Sequence, residues 1–228
     1  MNRRHPHNPT RNRFIFMTIA ADITGQCGDC FKLLAACFYE PEKELFLEER
    51  LCHNLASLLA ECHCREAAKA AAGLQAALEE TGEDELKVEY ARLFVGPFEL
   101  IAPPYGSVYL EPNRRLMGDT TMAVRKAYRD SGLSLEVKEA PDHVALELEF
   151  MHYLWFKEAE AAAEEDNQRA REYAVLQADF LRKYLGPWIP EFCENIRQGT
   201  ENRFYRALAG CLENFIDEII PSLKRQTS

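Results

Sequence analysis

The chain has 228 residues, of which 47% are hydrophobic and 28% charged, with 11 glycines and 11 prolines. That apolar content excludes a disordered chain, and no apolar run is long and uncharged enough to span a bilayer. A formal net charge of −10 has the wrong sign for a nucleic-acid binder, and the body is more acidic still, because Arg3, Arg4, Arg11 and Arg13 open the chain with no acid among them.

Arg3 and Arg4 precede an apolar stretch, the layout of a twin-arginine export signal. However, His5-Pro6-His7-Asn8-Pro9 follow the pair, and the run from Phe14 to Ala21 meets Asp22 with no cleavage region. Residues 1–17 therefore read as a disordered tail ahead of an all-helical domain over 18–228. Lack of an export signal implies a cytoplasmic location, where thiols stay reduced.

Cys30, Leu34, Cys37 and Phe38 keep the three- and four-residue spacing of a helix face until Pro41 closes the segment, and Leu51, Leu55, Leu58 and Leu59 repeat it. The alanine-rich run from Ala67 to Leu78 predicts a third helix with Gly82 as its C-cap, and a fourth runs from about Asp84 to Val95. At the end of that fourth helix, Glu89-Tyr90-Ala91-Arg92-Leu93-Phe94 puts Tyr90, Leu93 and Phe94 on one face. Core packing alone would account for such a pair of rings four apart.

Between Gly96 and Thr120, Pro97, Pro103, Pro104, Gly106, Pro112 and Gly118 erase the periodicity and predict a long ordered loop over about 96–120. Within it, Pro103-Pro104-Tyr105-Gly106-Ser107-Val108-Tyr109 combines stiff entry, a permissive glycine and two amphipathic rings, as a peptide groove needs. A loop pinned to the core by its tyrosines is the plainer reading.

Helical spacing returns from Met122 to Ser131 and in Val144, Leu148, Met151 and Trp155. It recurs in Tyr173, Leu176, Phe180 and Tyr184, up to Gly186-Pro187, and in Phe204, Leu208, Cys211, Phe215 and Ile219. No alternation of polarity is long enough for a strand, so the class is all-α, a single bundle-like domain. Glu139-Ala140-Pro141-Asp142-His143 opens one of these helices. Pro141 suits the first helical position and Asp142 the helix dipole, whereas capping leaves His143 unaccounted for; a ring near a helix N-terminus favours its neutral form.

Eight cysteines include Cys27-Gly28-Asp29-Cys30 with Cys37, and Cys52-His53 with Cys62-His63-Cys64. A helical zinc or iron–sulfur protein built on this cluster is the competing function, since these are soft-metal ligands. A single C-x-x-C without a matching second one is a weak signal, and Cys27, Cys30 and Cys37 share the stripe of Leu34, so structural thiols with no metal or disulfide are expected. Ser107, Asp142 and His143 are the residue types of a hydrolytic triad, but no nucleophile elbow surrounds Ser107 and no phosphate-binding glycine loop is present, which argues against an enzyme.

Taken in order, the aromatic-x-x-Leu-Phe segment, the Pro-Pro-Tyr-Gly-Ser loop and the Glu-x-Pro-Asp-His helix start resemble the TorD/DmsD/NarJ family of cytoplasmic redox-enzyme maturation chaperones. The similarity runs from about Phe31 to Phe215, with the specific motifs between Tyr90 and His143. It implies an all-helical chaperone that binds the twin-arginine signal peptide and the body of a molybdopterin oxidoreductase subunit, holding it back from export until its cofactor is inserted. By position, Tyr90, Leu93, Phe94, Pro104, Tyr105 and Tyr109 would line the peptide groove and Asp142 and His143 would sit at its polar end, with no metal or cofactor implied. Tyrosines at 90, 105 and 109 depart from the tryptophans that relatives often carry. Glu99, Glu111, Asp119 and Asp142 are the candidate partners for the peptide's arginines. The oligomeric state is left open, a homodimer included, and no separate motif points to nucleotide or cofactor-precursor binding.

Overall fold

The computed structural model describes residues 23–96, 100–134 and 139–226, so the expected tail over 1–17 lies outside the described residues. Among them stand eleven α-helices: α1 (Ile23–Cys37), α2 (Lys43–Glu48), α3 (Leu51–Glu61), α4 (Arg65–Glu80), α5 (Glu83–Tyr90), α6 (Gly106–Leu110), α7 (Asp119–Asp130), α8 (Val144–Ala163), α9 (Asn167–Phe180), α10 (Ile189–Gly199) and α11 (Arg203–Gln226). The fold is all-α, as expected, and an isolated antiparallel bridge between Tyr105 and His143 is the extended pairing among the described residues. None of the described helices is long and apolar enough to cross a membrane.

α1 and α8 form the centre. Every residue of the stretch from Cys27 to Phe38 except Lys32 is buried, the pattern of a helix surrounded by others. α8 lies along it. Their approach depends on Gly28, where an added Cβ would come within 2.8 Å of the Trp155 Cβ, and His152 Nδ1 sits 3.1 Å from the Gly28 carbonyl.

α4 packs along α11 through small side chains, with Ala67, Ala71 and Ala77 beside Leu74 and Leu78. α11 answers with Phe204, Leu208, Cys211, Phe215 and Ile219, all buried as their spacing predicts. The first turn of α4 has no cap of its own. Glu218 of α11 supplies one, its carboxylate accepting the backbone N–H groups of Glu66 and Ala67 at 3.1 Å each. Phe31 and Phe215, with ring centroids 4.7 Å apart, tie α1 to α11 in the same core.

Several local expectations are corrected. Gly82 is not a left-handed C-cap: α4 ends at Glu80, and Gly82 has φ −66° at the start of α5. The last carbonyls of α4 are served instead by the Thr81 hydroxyl, which donates to Ala77 at 2.7 Å, and by Lys43, which donates to Glu79 and Thr81 at 3.1 and 2.6 Å. Leu176 faces solvent, 42% exposed, because the buried stripe of α9 runs through Ala174, Gln177 and Phe180. The proline-rich stretch is less irregular than expected, for it contains α6, a 3-10 turn at Pro112–Arg114 and the start of α7. Pro141 and Asp142 precede α8 rather than begin it.

Candidate functional site

The Pro-Pro-Tyr-Gly-Ser segment and the approach to α8 are locked together by backbone. Val144 N–H donates to the Pro104 carbonyl at 2.8 Å, and Gly106 N–H donates to the Asp142 carbonyl at 2.9 Å. The Asp142 side chain adds a third link, one oxygen accepting the Ser107 N–H at 2.7 Å at the start of α6. From the other side, the Tyr128 hydroxyl donates to the Pro141 carbonyl at 2.9 Å. Pro104 and Asp142 are buried by this arrangement, Asp142 completely.

His143 is itself the N-cap of α8. Its Nδ1 accepts the Ala145 N–H at 3.2 Å, so capping does account for it, contrary to the sequence reading. An accepting Nδ1 requires a neutral ring. Burial pushes its pKa down to about 4, overriding Glu139 and Asp142, which push it up. The ring lies edge-on to Tyr105, centroids 5.3 Å apart, and parallel to Tyr39 at 6.3 Å.

Tyr90 ends α5, and a π-helical turn over Ala91–Val95 follows, closed by Gly96 at φ +58°, whose N–H donates to the Ala91 carbonyl. That turn sends Leu93 and Phe94 into the core and Arg92 outward, where its guanidinium meets Glu89 at 2.8 Å and the Gly199 carbonyl at 2.6 Å. Phe94 carries Tyr90 on its edge at 5.4 Å and contacts Tyr205 at 5.7 Å and Phe192 at 6.0 Å. Ala102 N–H donates to the Leu93 carbonyl at 3.0 Å and returns the chain to this helix end.

Tyr90 and Tyr105 come together beside Glu139. The Tyr105 hydroxyl donates to the Glu139 carboxylate at 2.8 Å, and both rings remain half-buried. Burial first, then the negative charges of Glu139 and Glu40, push the Tyr90 hydroxyl up to about 12. Tyr105 is raised as well, by burial, by its bond to Glu139 and by the proximity of Tyr90. Tyr109 has different neighbours: its ring stacks on Trp188 at 5.4 Å, touches Phe192 at 6.2 Å and lies 5.3 Å from the Arg114 guanidinium.

Of the candidate acids, Glu99 lies outside the described residues. Glu111 is engaged, accepting the Thr120 N–H at 2.6 Å across the exposed arc 112–117, and its side chain lies against Gly118, where an added Cβ would sit 2.6 Å from the Glu111 Cδ. Asp119 occupies the first position of α7. The sequence reading missed Glu40, the side chain of Glu139 and the buried pair Glu147 and Trp188, joined by an indole N–H donated at 3.1 Å. Spacing could have found Glu147, which falls three residues after Val144 and four before Met151 on the buried stripe of α8. Burial, reinforced by the Asp142 charge and opposed by the Trp188 bond, pushes its carboxyl well above the usual range. Among the described residues no group of three or more His, Cys, Asp or Glu side chains is arranged around a metal position.

Known proteins share this architecture. The family profile of the nitrate reductase delta subunit matches residues 60–194. A protein from Psychrobacter sp. named as the chaperone TorD is 32% identical over 202 residues, covering 80% of this chain and 88% of the relative. A Salmonella typhi protein named as the Tat proofreading chaperone DmsD is 33% identical over 143 residues, 62% of this chain and 63% of the relative, so the match spans less than two thirds of that protein's length. The crystal structure of a proposed redox enzyme maturation protein from Archaeoglobus fulgidus superposes with a TM-score of 0.51 over 89% of this chain and 99% of that one; at 21% identity it shows the fold alone. The chain belongs to the nitrate reductase delta subunit family, the family of the TorD, DmsD and NarJ chaperones.

Proposed function

We infer that the protein is a cytoplasmic maturation chaperone, without catalytic activity, that binds the twin-arginine signal peptide of a molybdopterin oxidoreductase subunit and holds that subunit until its cofactor is in place. The observation that carries the reading is the pair of half-buried rings, Tyr90 and Tyr105, held beside Glu139 by a backbone clamp in a chain of this family. A signal peptide has a cationic start and an apolar middle. Rigid amphipathic rings over the apolar floor of Leu93, Phe94 and Pro104 suit the middle, and Glu139 and Glu40 suit the arginines. Tyr109 extends the aromatic surface toward Trp188, while Asp142 and His143 fix the shape of the polar end from beneath. A net charge of −10 favours encounter with a cationic segment.

Titration calorimetry against synthetic signal peptides of molybdopterin oxidoreductases encoded beside this gene tests the reading. Tyr90→Ala and Tyr105→Ala are each expected to weaken binding by about 1–3 kcal/mol, with little dependence on salt. Glu139→Gln is expected to matter at low salt and fade near 1 M, because it acts through exposed charge. Unbound peptides, or equal affinity for a peptide with both arginines changed to glutamine, would defeat the assignment.

A further inference from the structure

The outer face of α9 is apolar at a place where a surface helix is ordinarily polar. Ala174, Gln177 and Phe180 turn inward, whereas Val175 and Leu176 stand 46% and 42% exposed. These two form one end of a groove of about 680 Å³, lined further by Arg171 and Glu172 and, at the start of the helix, by Asn167 and Gln168. Just before Asn167 comes the turn from α8, where Glu164, Glu165 and Asp166 are all exposed. The groove is therefore apolar at one end and borders an acidic turn at the other. The start of α1 lies nearby. α8 runs antiparallel to α1, with Tyr39 donating to Glu149 at 2.9 Å and Gly28 against Trp155, so Ile23 is level with the last turns of α8. α9 folds back along those same turns, where Gln177 donates to Glu158 at 2.6 Å.

We propose that this groove is the docking site of the chain's own segment ahead of α1: the apolar residues from Phe14 to Ile19 cover Val175 and Leu176, and Arg11 and Arg13 meet the acidic turn. From Phe14 to Ala21 the sequence carries no charge and includes Phe14, Ile15, Phe16, Met17 and Ile19, side chains that gain by leaving water. The segment's length suits the path. Phe16 stands seven residues before Ile23, a reach of about 23 Å when extended, and the two helix spacings from α1 past α8 to α9 come to about 20 Å. Its charge suits the site as well, because Arg3, Arg4, Arg11 and Arg13 all come before any acid and the turn at Glu164, Glu165 and Asp166 is their complement. The order also agrees: cations precede the apolar run in the segment, and the acidic turn borders the end of the groove away from Val175 and Leu176.

The test uses the full chain with Phe16→benzoylphenylalanine, irradiated and then digested with trypsin for mass mapping. The expected product is an intramolecular cross-link between the peptide from Phe14 to Lys32 and the peptide from Glu172 to Arg182. In the unmodified chain, brief trypsin treatment should cut after Arg4 at once and after Arg13 slowly. Leu176→Asp should speed the second cut by about tenfold, because cleavage follows the population of the undocked segment. Val88→Asp, at a comparably exposed position on α5, should leave it unchanged. The cross-link stands as the test even where the α9 variant folds poorly. Cross-linking to the peptides that carry Tyr90 or Tyr105 would place the segment in the aromatic groove instead, and cross-linking between two chains would make α9 a contact between copies. Either result would overturn the proposal, as would no cross-link at all or equal cleavage after Arg4 and Arg13 in the unmodified chain.

Discussion

Asp142 and Ser107 are joined where solvent reaches neither: one carboxylate oxygen of Asp142 accepts the Ser107 backbone N–H at 2.7 Å, and both residues are fully buried. A charged acceptor strengthens such a bond, and losing it strands the N–H. Asp142→Ala is expected to cost about 2–3 kcal/mol of stability and Asp142→Asn, which keeps an acceptor, about 1 kcal/mol. Urea unfolding followed by circular dichroism measures both, and the loss should persist at 1 M salt because the pair is buried. Unchanged stability with a salt-sensitive loss of peptide affinity would mean that Asp142 acts through surface charge instead.

His143 makes stability depend on acid. Its ring resists protonation until about pH 4 in the folded chain, against an ordinary value of 6.5. Its contribution is therefore complete above pH 6.5 and lost as pH falls toward 4, where the unfolded chain gains a proton that the folded one refuses. The loss should reach ~3 kcal/mol, and His143→Gln should flatten the corresponding part of the stability curve measured by urea titration.

Glu147 titrates in the opposite sense. Burial raises its carboxyl, so its contribution is present below about pH 4.5 and is lost as pH rises toward its folded value. Glu147→Gln keeps an acceptor for the Trp188 indole and has nothing to ionise. Calorimetric unfolding at pH 8 should find it more stable than the parent by on the order of 1 kcal/mol, and nearly equal at pH 4.5.

Gly106 leaves no room for a side chain, since an added Cβ would stand 3.0 Å from the Trp188 Nε1. Gly106→Ala gains about 1 kcal/mol of helix propensity, yet crowding against a fully buried indole is expected to outweigh it by about 1–2 kcal/mol. The displaced α6 carries Tyr109 and adjoins Tyr105, so peptide affinity should fall with stability. Chemical denaturation and calorimetry on one preparation would show the two losses together.

What was legible in the sequence was periodicity. The long helices through Leu34, Leu55, Leu74, Leu148 and Phe215 repeat apolar residues every three or four positions, and each buries them. Three helices were missed for different reasons: α6 is a five-residue turn inside the proline-rich stretch that read as a loop. α2 has six residues and buries Phe46 alone, too short for a period to emerge. α10 carries a clean stripe of Ile189, Phe192, Cys193 and Ile196, but Pro187 and Pro190 disguise it, although proline is at home in a first turn. Around the site, motif order pointed to Tyr90, Tyr105 and His143. It could not say that Asp142 would be sealed under α6 or that Glu139 would meet Tyr105, because those contacts join segments more than thirty residues apart.

The bond from Thr120 to Glu111 turns the arc over 112–117 into a closed detour whose two ends meet before the chain moves on. Three of its non-glycine residues, Asn113, Arg114 and Met117, sit at φ 61°, 53° and 63°, and every residue of the arc is exposed. Arg114 is its tie to the body, with its guanidinium over the Tyr109 ring and 3.1 Å from Glu191, so the Asn113 side of the arc is best left as it is. Such a detour is the natural seat for a cargo of the experimenter's choosing: a dye, a spin label or a purification tag spliced there would ride beside Tyr109 while α6 and α7 keep their places.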